Sequence, residues 1–210
     1  VLTVGDSFTM GLCMTDDLVP AEHLRRYWPS TLNLGLPGAG PLFELASLRE
    51  FGARFSPKVV LWIYYEGNDL SDLPAEYAHP ILRRYLEPDF RQGLEALQPE
   101  IDQRISQYVE DLTSLEEQSP ATRRQPTWNL TSILKLESLR NLVGISASLG
   151  PSPEAISMFQ EVLVEAKRTV SGWGGQLLFV YLPTYNRFAS RGVGDTHLGR
   201  ADVMRVVRSL

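Results

Sequence analysis

The chain has 210 residues, of which 43% are hydrophobic and 21% are charged, and its net charge is −5. These values are typical of a globular domain. The charge and the absence of a basic run argue against nucleic acid as a partner. The single cysteine excludes an internal disulfide and a cysteine-rich metal site, and no run of about 20 apolar residues is present to span a membrane.

The first predicted strand, residues 1–5, runs directly into Gly5-Asp6-Ser7. A serine at the carboxyl end of a parallel strand, just before a helix, lies at the crevice where open α/β sheets bind ligands. Its hydroxyl and its backbone N–H then both face that crevice. The pattern predicts that Ser7 is the nucleophile of an acyl-transfer reaction. The alternative is that Ser7 only caps the helix.

Two further strand ends carry groups that suit the same chemistry. The predicted strand 31–34 leads into a glycine-rich loop that contains Gly38, where backbone N–H groups are free to act as donors. The predicted strand 58–65 is a near-continuous apolar run, as in buried parallel strands, and Asn68 follows it. Together the three strand ends supply a nucleophile and the donors that stabilise a tetrahedral oxyanion.

Helical patterns separate most of these strands and a fourth, residues 176–182. Alternation of strands and helices predicts an α/β fold in which a parallel sheet lies between helical layers. The helix after the second strand is expected to bury an apolar stripe, formed by Leu42, Leu45, Ala46 and Phe55. Ser152 is expected to cap the helix before the fourth strand.

The segment between the third and fourth strands is far longer than a crossover needs, by roughly eighty residues. We place a helical insertion at residues 74–150, built from two amphipathic helices. One interpretation is a helical hairpin packed on the edge of the sheet. The other is a lid or acyl-binding cap over the site.

These strand-end blocks resemble those of the SGNH, or GDSL-type, hydrolases. The first block of that family is similar to Gly5-Asp6-Ser7, the second to residues 33–38, and the third to Gly67-Asn68-Asp69. The resemblance implies a three-layer, flavodoxin-like strand order. It also implies that Ser7 is the nucleophile and that the oxyanion is held by the N–H groups of Ser7 and Gly38 and the side-chain amide of Asn68. No cofactor is implied.

The fourth block of the family, an Asp-x-x-His that supplies the general base, is not found in this sequence. The nearest candidate base is His197 in Asp195-Thr196-His197, whose spacing is one residue short. We expect that residues 1–210 form one SGNH-hydrolase-like domain that is a fragment. Its last strand and its Asp-x-x-His block would then lie past Leu210.

Several other residues are candidates by position alone. Tyr185 and Arg187 follow the fourth strand beside the crevice and are expected to contact substrate, as is Asp6. A hard-cation site for phosphoester chemistry is an alternative for four carboxylates near the strand ends, Asp6, Glu66, Asp69 and Asp72. Carboxylates near glycine turns are more often solvated helix caps, so we expect no metal.

The function predicted from this sequence is that of a serine ester hydrolase acting through an acyl-enzyme. The expected substrate is a small-molecule, lipid or saccharide ester. One alternative is an O-acetyltransferase that acts on a cell-envelope polysaccharide, and another is a non-catalytic carbohydrate- or envelope-binding module. The strings Gly-Asp-Ser-Phe-Thr and Glu-Gly-Asn-Asp-Leu-Ser-Asp are most similar to a bacterial branch often anchored outside the cytoplasmic membrane. This implies an extracytoplasmic location, with any membrane contact through a segment outside this chain.

Overall fold

The computed structural model describes residues 1–118, 151–185, 188 and 199–210. The chain divides into two compact units, one formed by residues 1–93 with 149–210 and the other by residues 94–148. Residues 74–93, the start of the expected insertion, belong to the larger unit. The second helix of the expected insertion lies outside the described residues.

The larger unit contains a four-stranded, all-parallel sheet with the order β2-β1-β3-β4. Its strands are β1 (Leu2–Gly5), β2 (Leu32–Gly35), β3 (Val59–Tyr65) and β4 (Gln176–Leu182). Helices flank this sheet, as the alternating pattern predicts, and a helical stretch separates β3 from β4. The expected α/β fold is therefore confirmed.

The helices of the larger unit connect these strands or follow the last of them. They are α1 (Ser7–Met10), α2 (Pro20–Arg25), α3 (Pro41–Ser47), α4 (Asp69–Ala78), α5 (Pro80–Arg83), α7 (Pro153–Gly172) and α8 (Arg200–Ser209). Short 3-10 turns span Asp16–Leu18, Ala53–Phe55 and Arg84–Leu86, and a π-helical turn spans Leu48–Gly52. In the smaller unit, the described helix is α6 (Gln98–Gln118).

The core lies between the sheet and α3, α4 and α7. Trp62 and Tyr64 of β3 are buried on this face, and the Tyr64 ring lies 5.3 Å from that of Phe159 on α7. Ser152 caps α7 as expected, because its hydroxyl accepts a hydrogen bond from the N–H of Ala155 at 3.1 Å. The apolar stripes of the sequence are thus the surfaces that cover this face of the sheet.

The stripe predicted after β2 is correct for Leu42, Leu45 and Ala46, which are buried, and wrong for Phe55, which is 55% exposed. The α-helical repeat ends at Ser47 and is followed by the π-helical turn and then a 3-10 turn. Because these turns change the number of residues per turn, a residue beyond Ser47 no longer faces the direction that a 3.6-residue repeat predicts.

Candidate active site

The carboxyl ends of the central strands are aligned side by side. Gly5 at the end of β1 pairs with Gly35 of β2 and with Ile63 of β3. The N–H of Leu36 donates to the carbonyl oxygen of Gly5 at 3.0 Å. The loops after β1 and β2 therefore leave the sheet next to each other, as a shared site at this edge requires.

Asp6, rather than Ser7, caps helix α1. The Oδ1 atom of Asp6 accepts a hydrogen bond from the N–H of Phe8 at 2.9 Å, and Ser7 is the first residue of the helix. Ser7 is half-buried, and its hydroxyl forms no hydrogen bond with another described residue. The interpretation of Ser7 as a helix cap is therefore wrong.

Gly5 allows α1 to begin immediately after the strand. A Cβ atom at this position would lie 2.0 Å from Oγ1 of Thr9 and 2.7 Å from the carbonyl oxygen of Ile63. These distances are too short for any side chain, so only glycine allows α1 to turn back this closely over β3. The close turn fixes where Ser7 leaves the sheet.

Gly38 lies at the exposed tip of the loop after β2. Its φ of 76° is in the left-handed region, where a residue with a Cβ is strained. The loop is closed by the hydrogen bond from the N–H of Ala39 to the carbonyl oxygen of Leu36 at 3.1 Å. No described acceptor is bonded to the N–H of Gly38 itself, so this N–H can donate to a ligand.

Asn68 lies between β3 and α4, at the N-cap position of that helix. Its Nδ2 donates to Oδ2 of Asp72 at 2.8 Å, which leaves one of its two N–H bonds for another acceptor. The backbone carbonyl oxygen of Asn68 accepts hydrogen bonds from the N–H groups of Ser71 and Asp72, as at the start of a helix. Sequence reasoning assigned no such role to Asp72, although its position four residues after Asn68 at a helix start is the spacing of this contact.

An aromatic contact joins α1 to the end of β3. The centroids of the Phe8 and Tyr65 rings are 4.1 Å apart. The Tyr65 ring also covers Gly67, where a Cβ atom would lie 2.3 Å from it. The residues that follow Ser7 and those that precede Asn68 are therefore packed against each other in the larger unit.

Two carboxylates of this region are buried rather than solvated. Asp6 is 1% exposed and Asp69 is fully buried, which corrects the expectation of solvated caps. Burial raises the pKa of Asp6, although the N–H groups of Phe8 and Thr9 partly oppose this shift. Direct contact of Asp6 with substrate stays a prediction. Among the described residues, no three His, Cys, Asp or Glu side chains are arranged to hold a metal ion.

The remaining candidates lie after β4. Tyr185 is 80% exposed, and the N–H of the preceding Thr184 donates to Oε2 of Glu66 at 3.0 Å, so this loop begins beside the end of β3. Arg187 and His197 lie outside the described residues, and their predicted roles stay predictions. The described histidines, His23 and His79, are both exposed, and neither is hydrogen-bonded to Ser7.

No helix in the described part of the chain is both long enough and apolar enough to cross a membrane. Comparison with known proteins adds no family assignment. No protein-family model matches the chain, and no curated protein is significantly similar to it.

Proposed function

We propose that the protein is a serine ester hydrolase in which Ser7 is the nucleophile. The observation that carries the proposal is the position of Ser7 at the carboxyl end of β1, with a hydroxyl that Asp6 leaves free by capping α1. A structural serine at a helix start is normally engaged as the cap. A serine whose hydroxyl is unbonded at a ligand-binding edge of a parallel sheet suits nucleophilic catalysis instead.

The donors on the neighbouring loops support the same proposal. Acyl transfer builds negative charge on the carbonyl oxygen, and preorganised N–H groups stabilise that charge. Among the described residues, none accepts a hydrogen bond from the N–H of Gly38 or from the second N–H of the Asn68 amide. With the N–H of Ser7, these two donors make up the oxyanion site of the proposal.

The reaction we propose has two steps. The Ser7 oxygen attacks the ester carbonyl while a general base takes its proton, and the tetrahedral intermediate then expels the alcohol, which receives that proton. A water molecule attacks the resulting acyl-enzyme in the same way, so that the acid is released and Ser7 is restored. His197 is the candidate base of this chain.

Hydrolysis of p-nitrophenyl acetate by purified protein tests this function, with Ser7→Ala and Ser71→Ala as paired variants. Ser71 is exposed at the start of α4, and its hydroxyl donates to the backbone carbonyl oxygen of Asn68 at 2.7 Å. We expect activity to be lost in Ser7→Ala and kept in Ser71→Ala. Equal activity in the wild type and Ser7→Ala would contradict the proposal. A rate that depends on an added sugar acceptor would identify a transferase that uses the same serine.

A further inference from the structure

Three carboxyl groups, from α3, α4 and the turn between β1 and α1, are buried near the candidate site and act on one another electrostatically. Glu44 of α3 is 1% exposed, and neither of its carboxylate oxygens has a hydrogen-bond partner. Asp69 of α4 is fully buried, and its Oδ1 has no partner, while its Oδ2 accepts the N–H of Tyr65 at 2.8 Å. Asp6 uses Oδ1 to cap α1, and its Oδ2 is buried without a partner. Four carboxylate oxygens are thus buried and unpaired.

The groups that face these carboxyls do not neutralise them. Asp72 and Glu76 of α4 act on them electrostatically, and both are acidic groups. Burial raises the pKa of Tyr64 on β3, and Asp69 and Glu44 in turn raise it further. Further acidic groups act on Tyr64 or Tyr65 from the ends of β3 and β4, namely Glu66 and Tyr181. Within the described ranges, neither Asp6, Glu44 nor Asp69 forms an ion pair with a lysine or arginine.

Glu76, in the same region, is a carboxylate whose two oxygens both accept hydrogen bonds. Its Oε1 accepts the N–H of Gly40 at 2.7 Å, and its Oε2 accepts the N–H groups of Leu42 and Phe43 at 3.0 and 3.4 Å, so it covers the start of α3. Glu44 lies within α3, and neither of its carboxylate oxygens accepts a hydrogen bond. An ionised carboxylate that is buried without donors is strongly disfavoured, and it holds a proton instead.

Electrostatics agree with this reasoning from burial and contacts. Burial raises the pKa of Glu44 well above its usual range, and the carboxyls of Asp69, Glu76 and Asp6 raise it further. Burial also raises the pKa of Asp69 to about 8, against the opposing effect of the Tyr65 N–H. A neutral carboxyl has an O–H that can donate to a neighbouring carboxylate oxygen, so a retained proton satisfies an unpaired acceptor as well as removing a charge.

We propose that Asp6, Glu44 and Asp69 share protons as one carboxyl cluster, and that this cluster positions Ser7 and Asn68. The positioning role rests on the proposed function. Asp6 precedes Ser7 in the sequence and caps the helix that Ser7 begins. Asp69 follows Asn68 in the sequence, and its carboxylate accepts the N–H of Tyr65 at the end of β3. Ionisation of the cluster places like charges next to both site residues. Repulsion between these carboxylates then displaces Ser7 and Asn68.

The proton sharing is tested without reference to activity, by measuring denaturant unfolding between pH 4 and 9. A carboxyl with a raised pKa in the folded state takes up a proton on folding, so its stabilising effect is full at low pH and is lost as the pH rises through its folded pKa. With the pKa of Asp69 at about 8, we expect the loss between about pH 4 and pH 8. The unfolding equilibrium constant of the wild type should rise up to about tenfold per pH unit for each proton.

Glu44→Gln and Asp69→Asn should each reduce this slope, because an amide does not titrate. Asp69→Asn keeps an oxygen to accept the Tyr65 N–H. Glu110→Gln is the matched control, since Glu110 is exposed on α6 and its removal should leave the slope unchanged. Infrared difference spectra of the wild type against Glu44→Gln at pH 7 should contain the carbonyl band of a neutral carboxyl. If the two buried variants keep the wild-type slope, or if that band is missing, the proton-sharing cluster is overturned.

The positioning role is tested by the pH profile of ester hydrolysis. The wild type should lose kcat reversibly above about pH 8, with KM little changed, and Asp69→Asn should keep its kcat there. An unchanged alkaline profile in Asp69→Asn would overturn the positioning role. If the stability slopes change as expected but the wild type hydrolyses no ester, the proposed function fails while the cluster stands.

Discussion

The side-chain amide of Asn33 donates from Nδ2 to the carbonyl oxygen of Thr9 at 3.0 Å, and so ties the end of β2 to helix α1. Its Oδ1 accepts the N–H of Gly35 at 2.9 Å and the Oγ1 hydroxyl of Thr3 at 3.2 Å. One side chain therefore connects β1, β2 and the helix that begins with Ser7. The position of the candidate nucleophile depends on this contact as well as on the sheet.

Loss of this side chain should destabilise the larger unit. We expect Asn33→Ala to lower the free energy of unfolding by about 1–3 kcal/mol, because partly buried donors and acceptors lose their partners. Asn33→Asp keeps the acceptor for Gly35 but replaces the donor to Thr9 with a carboxylate oxygen that repels the Thr9 carbonyl oxygen, so its effect on stability reports on the contact with α1. Urea unfolding followed by far-UV circular dichroism measures both. Wild-type stability in Asn33→Ala would show that the contact does not hold α1.

Gly38 offers a test that separates conformational strain from function. A Cβ at Gly38 meets no atom within 4 Å, so Gly38→Ala adds strain only through its φ of 76°. We expect a loss of about 1 kcal/mol in stability, and a loss of ester hydrolysis because the N–H that we propose as an oxyanion donor shifts.

Gly174→Ala is the matched control. Gly174 has a φ of 78°, also meets no atom within 4 Å, and lies in the turn before β4, at the opposite end of the strands. We expect the same cost in stability and no change in hydrolysis. Equal loss of hydrolysis in the two variants would mean that Gly38 matters only for folding.

Asn68→Ala tests the side-chain donor of the proposed oxyanion site. Removal of one such donor typically lowers kcat by about 10²–10³ with little effect on KM. The backbone contacts of Asn68 at the start of α4 remain and the hydrogen bond from Nδ2 to Asp72 is lost, so the free energy of unfolding should fall by about 1 kcal/mol. Steady-state hydrolysis of p-nitrophenyl acetate provides the comparison, and an unchanged kcat would remove Asn68 from the site.

Arg49 is expected to be a structural residue rather than a ligand-binding one. It is 2% exposed and donates to Oγ1 of Thr169 at 3.2 Å, to the carbonyl oxygen of Glu87 at 2.7 Å and to Oε2 of Glu165 at 2.6 Å. Arg49→Met should lower the free energy of unfolding by about 1–3 kcal/mol, because the Glu87 carbonyl oxygen and the Glu165 carboxylate lose a buried donor. Glu165 keeps its ion pair with Arg168, which limits the loss.

The exposed pair formed by Arg205 and Asp202 provides the comparison for that result. Arg205→Met should change stability very little, since its side chain is 73% exposed. The double variant with Arg49→Met and Glu165→Gln should recover part of the free energy of unfolding that Arg49→Met loses. A double variant as unstable as the sum of the two single variants would contradict the pairing.

The positions of the strands could be predicted from the sequence because each is a local pattern. The apolar run that ends at Tyr65 is hydrophobic on both faces, as buried parallel strands are. The observed bounds of this strand and of the predicted strand 176–182 agree with the prediction to within one residue. The start of α7 was equally predictable, since Ser152 and Pro153 form a local capping pattern.

The chemistry between elements could not be predicted in the same way. In the sequence, Glu44 has the pattern of an ordinary polar residue on a helix. Its burial near Asp69 results from the packing of α3 against α4, which the sequence does not indicate. The exchange of roles between Asp6 and Ser7 at the start of α1 is also not a matter of composition, because both residue types cap helices well. In the structure Asp6 has an extended backbone and Ser7 is the first helical residue, so Asp6 is the cap.

The most direct test of the central claim is fluorophosphonate labelling of the folded chain, read by intact mass, with Ser7→Ala and Ser71→Ala as comparisons. A serine that acts as a nucleophile forms one covalent phosphonyl adduct with the loss of fluoride. We predict a single adduct on the wild type and on Ser71→Ala, and none on Ser7→Ala. An adduct that persists in Ser7→Ala, or a folded wild type that takes up no label, would contradict the assignment of Ser7 as the nucleophile.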